Sequence, residues 1–239
     1  MSGGIPRVLT IRQPQMDAFR DQPRILFERE MAGYLREHFP FEARYGDVDW
    51  WVRNGLRQAG LYGFVSWRDS AQYLALMAML GAGFLDDPAT AWARAIVCDG
   101  SKEPPERMGT LFDRAVEYLE ATCGPRGVWF DRAVGRLLRL DLNVVEGAHR
   151  RAVAGRIGEE LTRLYPQKAA AIGDQALREL VRMSGEASAS RQEWLFRAAC
   201  MMLLGAGFSG DPCFPWAAPG VGFESMHRGF CQWGAAYGR

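Results

Sequence analysis

Residues 75–93 of this chain, ALMAMLGAGFLDDPATAWA, return in diverged form at residues 199–217, ACMMLLGAGFSGDPCFPWA. Eleven of the nineteen positions are identical without a gap, which chance does not produce in a chain of 239 residues. Self-similarity of this kind is typical of proteins built from copies of one supersecondary unit. The sequence therefore predicts that two parts of the chain share one local structure.

Shared serines and acids predict where the central helix of each copy begins. Ser66 is followed three residues later by Asp69, and Ser190 is followed by Glu193. In such a capping box the serine oxygen accepts an N–H of the first turn, and the acid accepts one in return. The apolar runs that follow, 73–80 and 195–204, are typical of helices that are buried on most sides.

Shared glycines, Asp-Pro pairs and tryptophans predict how each central helix ends. Glycine takes the left-handed C′ position without a steric cost, so Gly81 and Gly205 are expected to end the two helices. An aspartate followed by proline is typical of the N-cap and first position of a new helix, whose tryptophan we expect to face inward. The residues concerned are Asp87, Pro88 and Trp92 in the first copy, and Asp211, Pro212 and Trp216 in the second.

The remaining periodicity predicts an all-α fold in which two pseudo-repeated units of about four helices each are joined by a helical connector. Apolar residues at helical spacing indicate helices over 26–39 and 48–61, and again over 157–164 and 174–183. Two further helices, beginning at Pro104 and Trp129, are separated by Gly124-Pro125, and only 8–11 could be a strand. The expected boundaries are 1–97 for the N-terminal unit with its extension, 98–143 for the connector, 144–218 for the C-terminal unit, and 219–239 for an aromatic and glycine-rich segment.

Composition limits the classes of function. A formal charge of +1 gives no field that favours nucleic acid, and no run of about 18 apolar residues predicts a membrane span. No signal peptide is recognisable at the start. Five cysteines without a C-x-x-C pair favour reduced thiols over a disulfide framework or a zinc site. We therefore expect a cytoplasmic protein.

No local motif predicts catalysis, a cofactor or a metal. Only the second acid of Asp86-Asp87 recurs in the other copy, as Asp211, which favours capping over general acid–base work. Glu146 and His149 have the spacing of one di-iron ligand pair, but such a site needs two pairs and two further glutamates. The sequence therefore predicts no catalytic, cofactor-binding or metal-binding residue, although a nonlocal triad stays open because triads form in space.

Two groups of side chains are candidates for partner binding. Arg132, Arg136 and Arg139 share one helical face, which is either a docking strip for an acidic partner or a solvated face. Phe230, Trp233 and Tyr237 lie in the final segment. They either pack a last helix onto the repeats or form an exposed aromatic patch for a partner.

A set of residues in the first half resembles a group of small helical bacterial proteins associated with type VI secretion loci, near effector and immunity genes. The residues that carry this resemblance are Ile11-Arg12, Gln15-Met16, Phe27-Glu28, Met31, Phe39-Pro40, Val52-Arg53, Gly55, Tyr62-Gly63, Leu80-Gly81, Gly83-Phe84, Asp87-Pro88 and Trp92-Ala93. The match spans roughly 9–119 and consists mainly of caps and core positions. It brings no catalytic residue with it, and the second, degenerate copy departs from the pattern.

The expected function is a non-enzymatic protein–protein interaction module. The resemblance implies an adaptor or chaperone for a type VI secretion toxin encoded at the same locus, or alternatively an immunity protein that neutralises its cognate toxin. An enzyme with a cleft between the repeats is a further alternative, which needs polar groups that converge in that cleft. A small-ligand sensor that uses the tryptophan-rich interior is a third.

Overall fold

The fold is all-α, as the sequence predicts. The protein is described from a computed structural model that covers residues 13–147, 149 and 152–237. Every regular element in those residues is an α or 3-10 helix. The possible strand at 8–11 lies outside the described residues.

The N-terminal segment (13–97) is arranged around its fourth helix. Its elements are α1 (Gln13–His38), α2 (Pro40–Tyr45), α3 (Val48–Leu61), α4 (Trp67–Leu80) and α5 (Ala91–Val97), with a 3-10 turn at Pro88–Thr90. Helix α1 ends before Phe39-Pro40, because the residue before a proline disfavours the α conformation. Helix α4 packs against α1 and α3 on one side and against α6 of the connector on the other.

The connector and the C-terminal segment (144–218) add the remaining helices. These are α6 (Pro104–Cys123), α7 (Val128–Leu137), α8 (Val153–Leu164), α9 (Pro166–Glu186), α10 (Arg191–Leu204) and α11 (Phe223–Tyr237), the last of which lies in the tail (219–237). Gly124 separates α6 from α7 with a φ of 70°, as predicted. Helix α10 packs against α7, α8 and α9, and almost all of its side chains are buried.

Helix α9 is longer than the predicted helix at 174–183. It begins at Pro166, where proline suits the first helical position. Gly173 interrupts it with φ 76° and ψ 171°, a conformation that is essentially open only to glycine. The predicted start at 174 therefore corresponds to a break inside a longer element.

The core crosses the predicted boundaries. One apolar cluster unites Leu35 and Trp51 of the N-terminal segment with buried residues of α7 to α11. A second cluster packs α4 and α5 against α6, with Tyr73, Met77 and Leu111 at its centre. The N-terminal segment therefore shares its interior with both the connector and the C-terminal segment.

The predicted capping boxes form to different extents. Ser66 Oγ accepts the N–H of Asp69 at 3.1 Å, and Ser190 Oγ accepts the N–H of Glu193 at 3.1 Å. The Glu193 carboxylate accepts the N–H of Ala189 in return, at 2.9 Å. The Asp69 carboxylate accepts no hydrogen bond from any described residue, because aspartate lacks the extra methylene that lets glutamate reach back. The reciprocal box is therefore confirmed only in the second segment.

The glycines end the central helices in a different conformation from the one predicted. Gly81 has φ 98° and ψ 151°, and Gly205 has φ 93° and ψ 155°. Both have a positive φ, but the chain leaves the helix extended rather than in the left-handed helical region. This exit carries the backbone directly against the other segment.

The Asp-Pro pairs also differ. Pro88 opens a 3-10 turn as predicted, whereas Pro212 lies in a non-helical turn and the next 3-10 helix begins at Pro215. The reason is the second proline of the C-terminal copy, which restarts the helix three residues later than in the first copy.

Candidate functional site

Asp87 and Asp211 join the two segments by hydrogen bonds that cross between them. The Asp87 carboxylate accepts the N–H of Ala206 at 2.9 Å, and the Asp211 carboxylate accepts the N–H of Ala82 at 3.4 Å. Both carboxylates are almost fully buried. The four residues stand at equivalent positions of the repeated stretch, so each segment supplies an acid to the other. We call this pair of contacts the clasp.

Each clasp aspartate also holds its own turn. Asp87 accepts the N–H of Ala89 at 2.8 Å, and Asp211 accepts the N–H of Cys213 at 2.9 Å. Asp211 additionally accepts the indole N–H of Trp51 at 3.0 Å. The predicted capping role is therefore present in both copies, and the crossing hydrogen bonds are a second role that the local pattern did not indicate.

Small residues allow the two segments to approach this closely. A Cβ on Gly83 would lie 3.2 Å from the Cα of Gly207, and a Cβ on Gly207 would lie 3.1 Å from the Cα of Gly83. A Cβ on Gly205 would lie 3.3 Å from the carbonyl oxygen of Leu80. The C-terminal ends of α4 and α10 therefore meet backbone to backbone.

A cavity of about 270 Å³ lies beside the clasp, between the two segments. Its walls are largely apolar and aromatic, with Phe39, Trp51, Phe130, Phe214, Trp233 and Tyr237 among the lining residues. Four lining residues form two pairs at equivalent positions of the repeated stretch. These pairs are Leu80 with Leu204, and Asp87 with Asp211.

Lys168 is the buried cation of this cavity. Only 9% of it is exposed, and its ammonium has no carboxylate within 4.0 Å among the described residues. Burial works against the charged form, but the nearby Tyr118, Asp87 and Cys123 outweigh that effect and raise the pKa of Lys168. The ammonium therefore stays protonated at neutral pH.

Two tyrosines line the cavity, and their hydroxyl groups differ in hydrogen bonding. The Tyr165 hydroxyl donates to the carbonyl oxygen of Thr122 at 3.0 Å. The Tyr118 hydroxyl is buried and makes no hydrogen bond within 3.5 Å in the part of the chain that the structure describes. It lies beside the Lys168 ammonium, which can only donate to it. Burial raises the pKa of both phenols, so both remain protonated. Tyr118 is thus a donor that the protein does not use.

Asp211 is the acid whose ionisation is most affected by this environment. Burial raises the pKa of its carboxyl group, and the hydrogen bonds from Cys213, Trp51 and Ala82 oppose that shift without cancelling it. Asp211 therefore holds a proton more tightly than an exposed aspartate does.

Lys168, Tyr118 and Tyr165 suit binding better than proton transfer. Lys168 keeps its proton, and Tyr118 and Tyr165 keep theirs. A general base needs a group that releases and accepts a proton near neutral pH. The cavity instead offers an ammonium and an unused hydroxyl as hydrogen-bond donors inside apolar walls.

The predicted arginine strip lies elsewhere, on α7 and just beyond its end. Arg132, Arg136 and Arg139 line one shallow depression together with Asp131 and Gly135. Arg136 also donates to the carbonyl oxygen of Leu164 at 3.1 Å, so it ties α7 to α8. The structure therefore brings the three arginines together, and gives one of them an internal contact.

The aromatic tail is core rather than a partner surface at two of its three predicted positions. Phe230 is fully buried and Trp233 is 4% exposed, and Tyr237 stacks on Trp233 with ring centroids 5.3 Å apart. Helix α11 places these rings against Phe196 and Trp216. The exposed-patch assignment of Phe230 and Trp233 is therefore wrong, because the last helix packs its apolar face onto the C-terminal segment.

Trp92 and Trp216 face inward, as predicted. Trp92 packs on Tyr118 with ring centroids 5.8 Å apart, and Trp216 packs on Phe230 with centroids 5.7 Å apart. Both indole N–H groups are buried without a hydrogen-bond partner among the described residues. The two tryptophans therefore serve packing.

Sequence reasoning missed Lys168, Tyr118 and Tyr165. One signal could have found the first: 29 residues are Lys or Arg, yet only Lys102 and Lys168 are lysines. A compact ammonium and a guanidinium are not interchangeable, so the rare lysines of an arginine-rich chain are positions to inspect, although Lys102 lies at the surface. No local signal connects Lys168 with Tyr118, because fifty residues separate them.

No group of three or more histidine, cysteine, aspartate or glutamate side chains among the described residues is arranged to hold a metal ion. Within the same residues, no helix combines the length and apolarity that crossing a membrane needs. No family model, curated protein or solved structure matches this chain.

Proposed function

We propose that this protein is a protein–protein interaction module without catalytic activity of its own, and that it acts as an adaptor or chaperone for a toxin exported by a type VI secretion system. The observation that carries the proposal is a set of large apolar side chains left exposed on the N-terminal segment. The secretion context rests on the family resemblance of 9–119.

The exposed side chains surround the turn between α3 and α4. Leu61 is 77% exposed, Val65 is 78% exposed and Trp67 is 52% exposed. The Trp67 ring contacts Phe27 of α1 with centroids 4.5 Å apart. Phe27 follows Ile25 and Leu26, which are also exposed. We call Ile25, Leu26, Phe27, Leu61, Val65 and Trp67 the apolar patch.

The patch has the character of a binding surface. Single exposed apolar residues are ordinary, whereas a group of them that includes an exposed tryptophan is typical of interfaces. The nearby Arg57 and Arg68 are exposed, and neither forms an ion pair with a described residue. A toxin segment with apolar side chains at its centre and acidic ones at its edge complements this arrangement.

We also infer that the N-terminal and C-terminal segments are diverged copies of one helical unit. The support is positional: Gly83 contacts Gly207, its aligned residue, and the two clasp hydrogen bonds exchange equivalent partners, since Asp87 aligns with Asp211 and Ala82 with Ala206. A clasp of this kind gives the module a fixed shape, and a rigid surface loses less entropy on binding.

Co-expression with the toxin of the same locus tests the function. We expect a complex that co-elutes on size exclusion, and at least ten-fold weaker binding for Val65→Glu, because a charge in the centre of the patch must be desolvated. Val116→Glu is the matched control, since Val116 is an exposed valine of α6 outside the patch. Arg132→Glu tests the arginine strip, and it leaves the internal bond of Arg136 intact.

Each outcome has a distinct meaning. Failure to form a complex with any toxin of the locus would refute the interaction role. A complex that survives both Val65→Glu and Trp67→Ser would refute the patch as its surface. An adaptor leaves the toxicity of the co-expressed toxin unchanged and is needed for its export, so rescue of toxin-expressing cells would instead establish the immunity role.

A further inference from the structure

The cavity between the segments contains two neighbouring hydrogen-bond donors, the Lys168 ammonium and the Tyr118 hydroxyl, which retain N–H and O–H groups that the described residues do not use. We propose that this cavity binds a small monocarboxylic acid with an aromatic or other apolar body, whose carboxylate is held by Lys168 and Tyr118. This site is separate from the apolar patch and does not depend on the adaptor role.

The first step is the state of Lys168. A buried ammonium is costly unless a counter-charge or hydrogen-bond acceptors surround it. No described carboxylate lies within 4.0 Å of Lys168 Nζ. The described groups that act on it are Tyr118, Asp87 and Cys123, which keep it charged. An ammonium has three N–H donors, and these neighbours do not use all of them, so Lys168 retains donors for an acceptor that enters the cavity.

The second step is Tyr118, which is 8% exposed. Its hydroxyl proton has no described acceptor, because the Lys168 ammonium beside it can only donate. Buried hydroxyl groups are nearly always satisfied, so an unsatisfied one on a cavity wall indicates a missing ligand atom. Tyr118 and Lys168 line the same cavity. A carboxylate can accept from both, one oxygen for each donor.

The third step excludes the acids of the wall as the missing partner. Both oxygens of Asp87 already accept backbone N–H groups, from Ala89 and Ala206. The oxygens of Asp211 accept from Cys213, Trp51 and Ala82. The clasp therefore uses both acids for structure and leaves the two donors of the cavity unmatched.

The charges and the size of the cavity define the ligand. The clasp carboxylates Asp87 and Asp211 line the same cavity, so a dianion such as a phosphate group would meet more repulsion than a monoanion. The volume of about 270 Å³ lies just below the ~300–1,000 Å³ of most ligand pockets, which restricts the body to a small one. Phe39, Phe130 and Trp233 supply flat apolar surface, which favours an aromatic ring.

We place the entry to the cavity at its partly exposed lining residues. Cys123, Phe130 and Tyr237 line it and are partly exposed, whereas Lys168 and Tyr118 are buried. A ligand that enters with its carboxylate leading therefore reaches the two donors and leaves its apolar end near the rim.

Titration of the full-length protein with 3-phenylpropionate tests the proposal. Trp51 and Trp233 line the cavity, so binding should change tryptophan fluorescence, and calorimetry gives the affinity directly. We expect saturable binding with one site per chain. The neutral amide of the same acid should bind at least ten-fold more weakly, because it lacks the charge that Lys168 recognises.

Two variants and one control locate the site. Lys168→Met should weaken the affinity for 3-phenylpropionate at least ten-fold, because it removes the ammonium. The methionine keeps the length and the apolar stem of the side chain. Tyr118→Phe should weaken the affinity for 3-phenylpropionate several-fold, because it removes only the hydroxyl. Lys102→Met is the control, because Lys102 lies near Asp99 on the surface and does not line the cavity. Circular dichroism of each variant shows whether it is folded.

Several results would overturn the proposal. These are no binding to the wild type at millimolar concentration, equal binding of the acid and its amide, or unchanged binding to a folded Lys168→Met variant. Preferential binding of 2-phenylethylamine would also overturn it, because it would mean that the clasp carboxylates, rather than Lys168, select the charge of the ligand.

Discussion

Asp87 and Asp211 exchange hydrogen bonds between the two segments: each buried carboxylate accepts a backbone N–H from the other segment, Asp87 from Ala206 and Asp211 from Ala82. An acid that caps its own turn is common. Here the second oxygen of the same carboxylate satisfies the backbone just beyond the opposite central helix. The stability of one segment therefore depends on a side chain of the other.

Asp87→Ala tests this dependence. It removes the acceptor for two buried N–H groups, those of Ala89 and Ala206, so we expect the free energy of unfolding to fall by about 3 kcal/mol. The control is Asp86→Ala next to it. Asp86 is exposed and pairs with Arg94 on the surface, so its loss should change stability by less than about 0.5 kcal/mol. Urea denaturation measures both, and equal effects would contradict the clasp.

Glu193 should matter more than an ordinary helix-surface glutamate. Its carboxylate accepts the N–H of Ala189 and pairs with Arg197 at 2.8 Å, in a site where both side chains are largely buried. Glu193→Ala should destabilise the protein by about 3 kcal/mol, because it leaves Arg197 without its partner. Glu186→Ala removes an exposed i,i+4 partner of Arg182 and should leave the thermal midpoint unchanged. A negligible effect at Glu193 would show that the box is not formed.

Gly205→Ala should destabilise the protein by about 2–3 kcal/mol. The φ of 93° strains any residue with a Cβ, and that Cβ would lie 3.2 Å from Asp87 Oδ2. Gly158→Ala is the matched control, since Gly158 lies inside α8 with no atom near its added Cβ. That change should stabilise by about 0.5–1 kcal/mol. Chemical denaturation shows whether each variant lowers or raises the free energy of unfolding.

Trp233→Ala should act on folding rather than on partner binding. Trp233 is buried among Phe214, Trp216 and Phe230, so its removal should cost about 3–5 kcal/mol. Trp67→Ala removes an exposed ring of the same size and should cost less than about 1 kcal/mol. A folded, stable Trp233→Ala protein would mean that α11 does not pack as described.

Asp211 should give stability an identifiable pH dependence. Its pKa is raised in the folded state, chiefly by burial, so the folded protein binds this proton more tightly than the unfolded chain does. Its contribution is fully present below the ordinary value of 3.8 and is lost as the pH rises through the raised pKa. The difference in unfolding free energy between wild type and Asp211→Asn should therefore shrink as the pH rises from 4 to 7. A difference that grows over that range would contradict the shift.

The sequence predicted the local features of the fold because these depend on neighbouring residues. Ser66, Ser190, Gly81 and Gly205 begin or end the helices at the expected places, since capping and the need for a positive φ are decided within one helical turn. The error at the second Asp-Pro pair has the same local cause. A proline can begin a helix at any position it occupies, and the pattern of residues 75–93 did not anticipate the extra Pro215 in residues 199–217.

The candidate site could not be predicted in the same way. The bond from Ala206 to Asp87 joins residues that are 119 positions apart, and the Tyr165 hydroxyl reaches Thr122 across 43 positions. Helical periodicity assigns such residues to a face without saying which element meets it. Phe230 and Trp233 show the other limit, because an aromatic helix face has the same pattern whether it is buried or exposed.

The clasp also constrains the order in which the protein can mature on the ribosome. When synthesis reaches the end of α6, the chain contains Asp87 and Ala82 but neither Ala206 nor Asp211. The N–H of Ala82, just beyond the first central helix, therefore has no acceptor until about half of the polypeptide has been added and Asp211 is present. Long-range contacts of this kind slow folding. Until then the nascent chain exposes the surface that its own later part will cover, which makes that interval the one in which a chaperone is most needed.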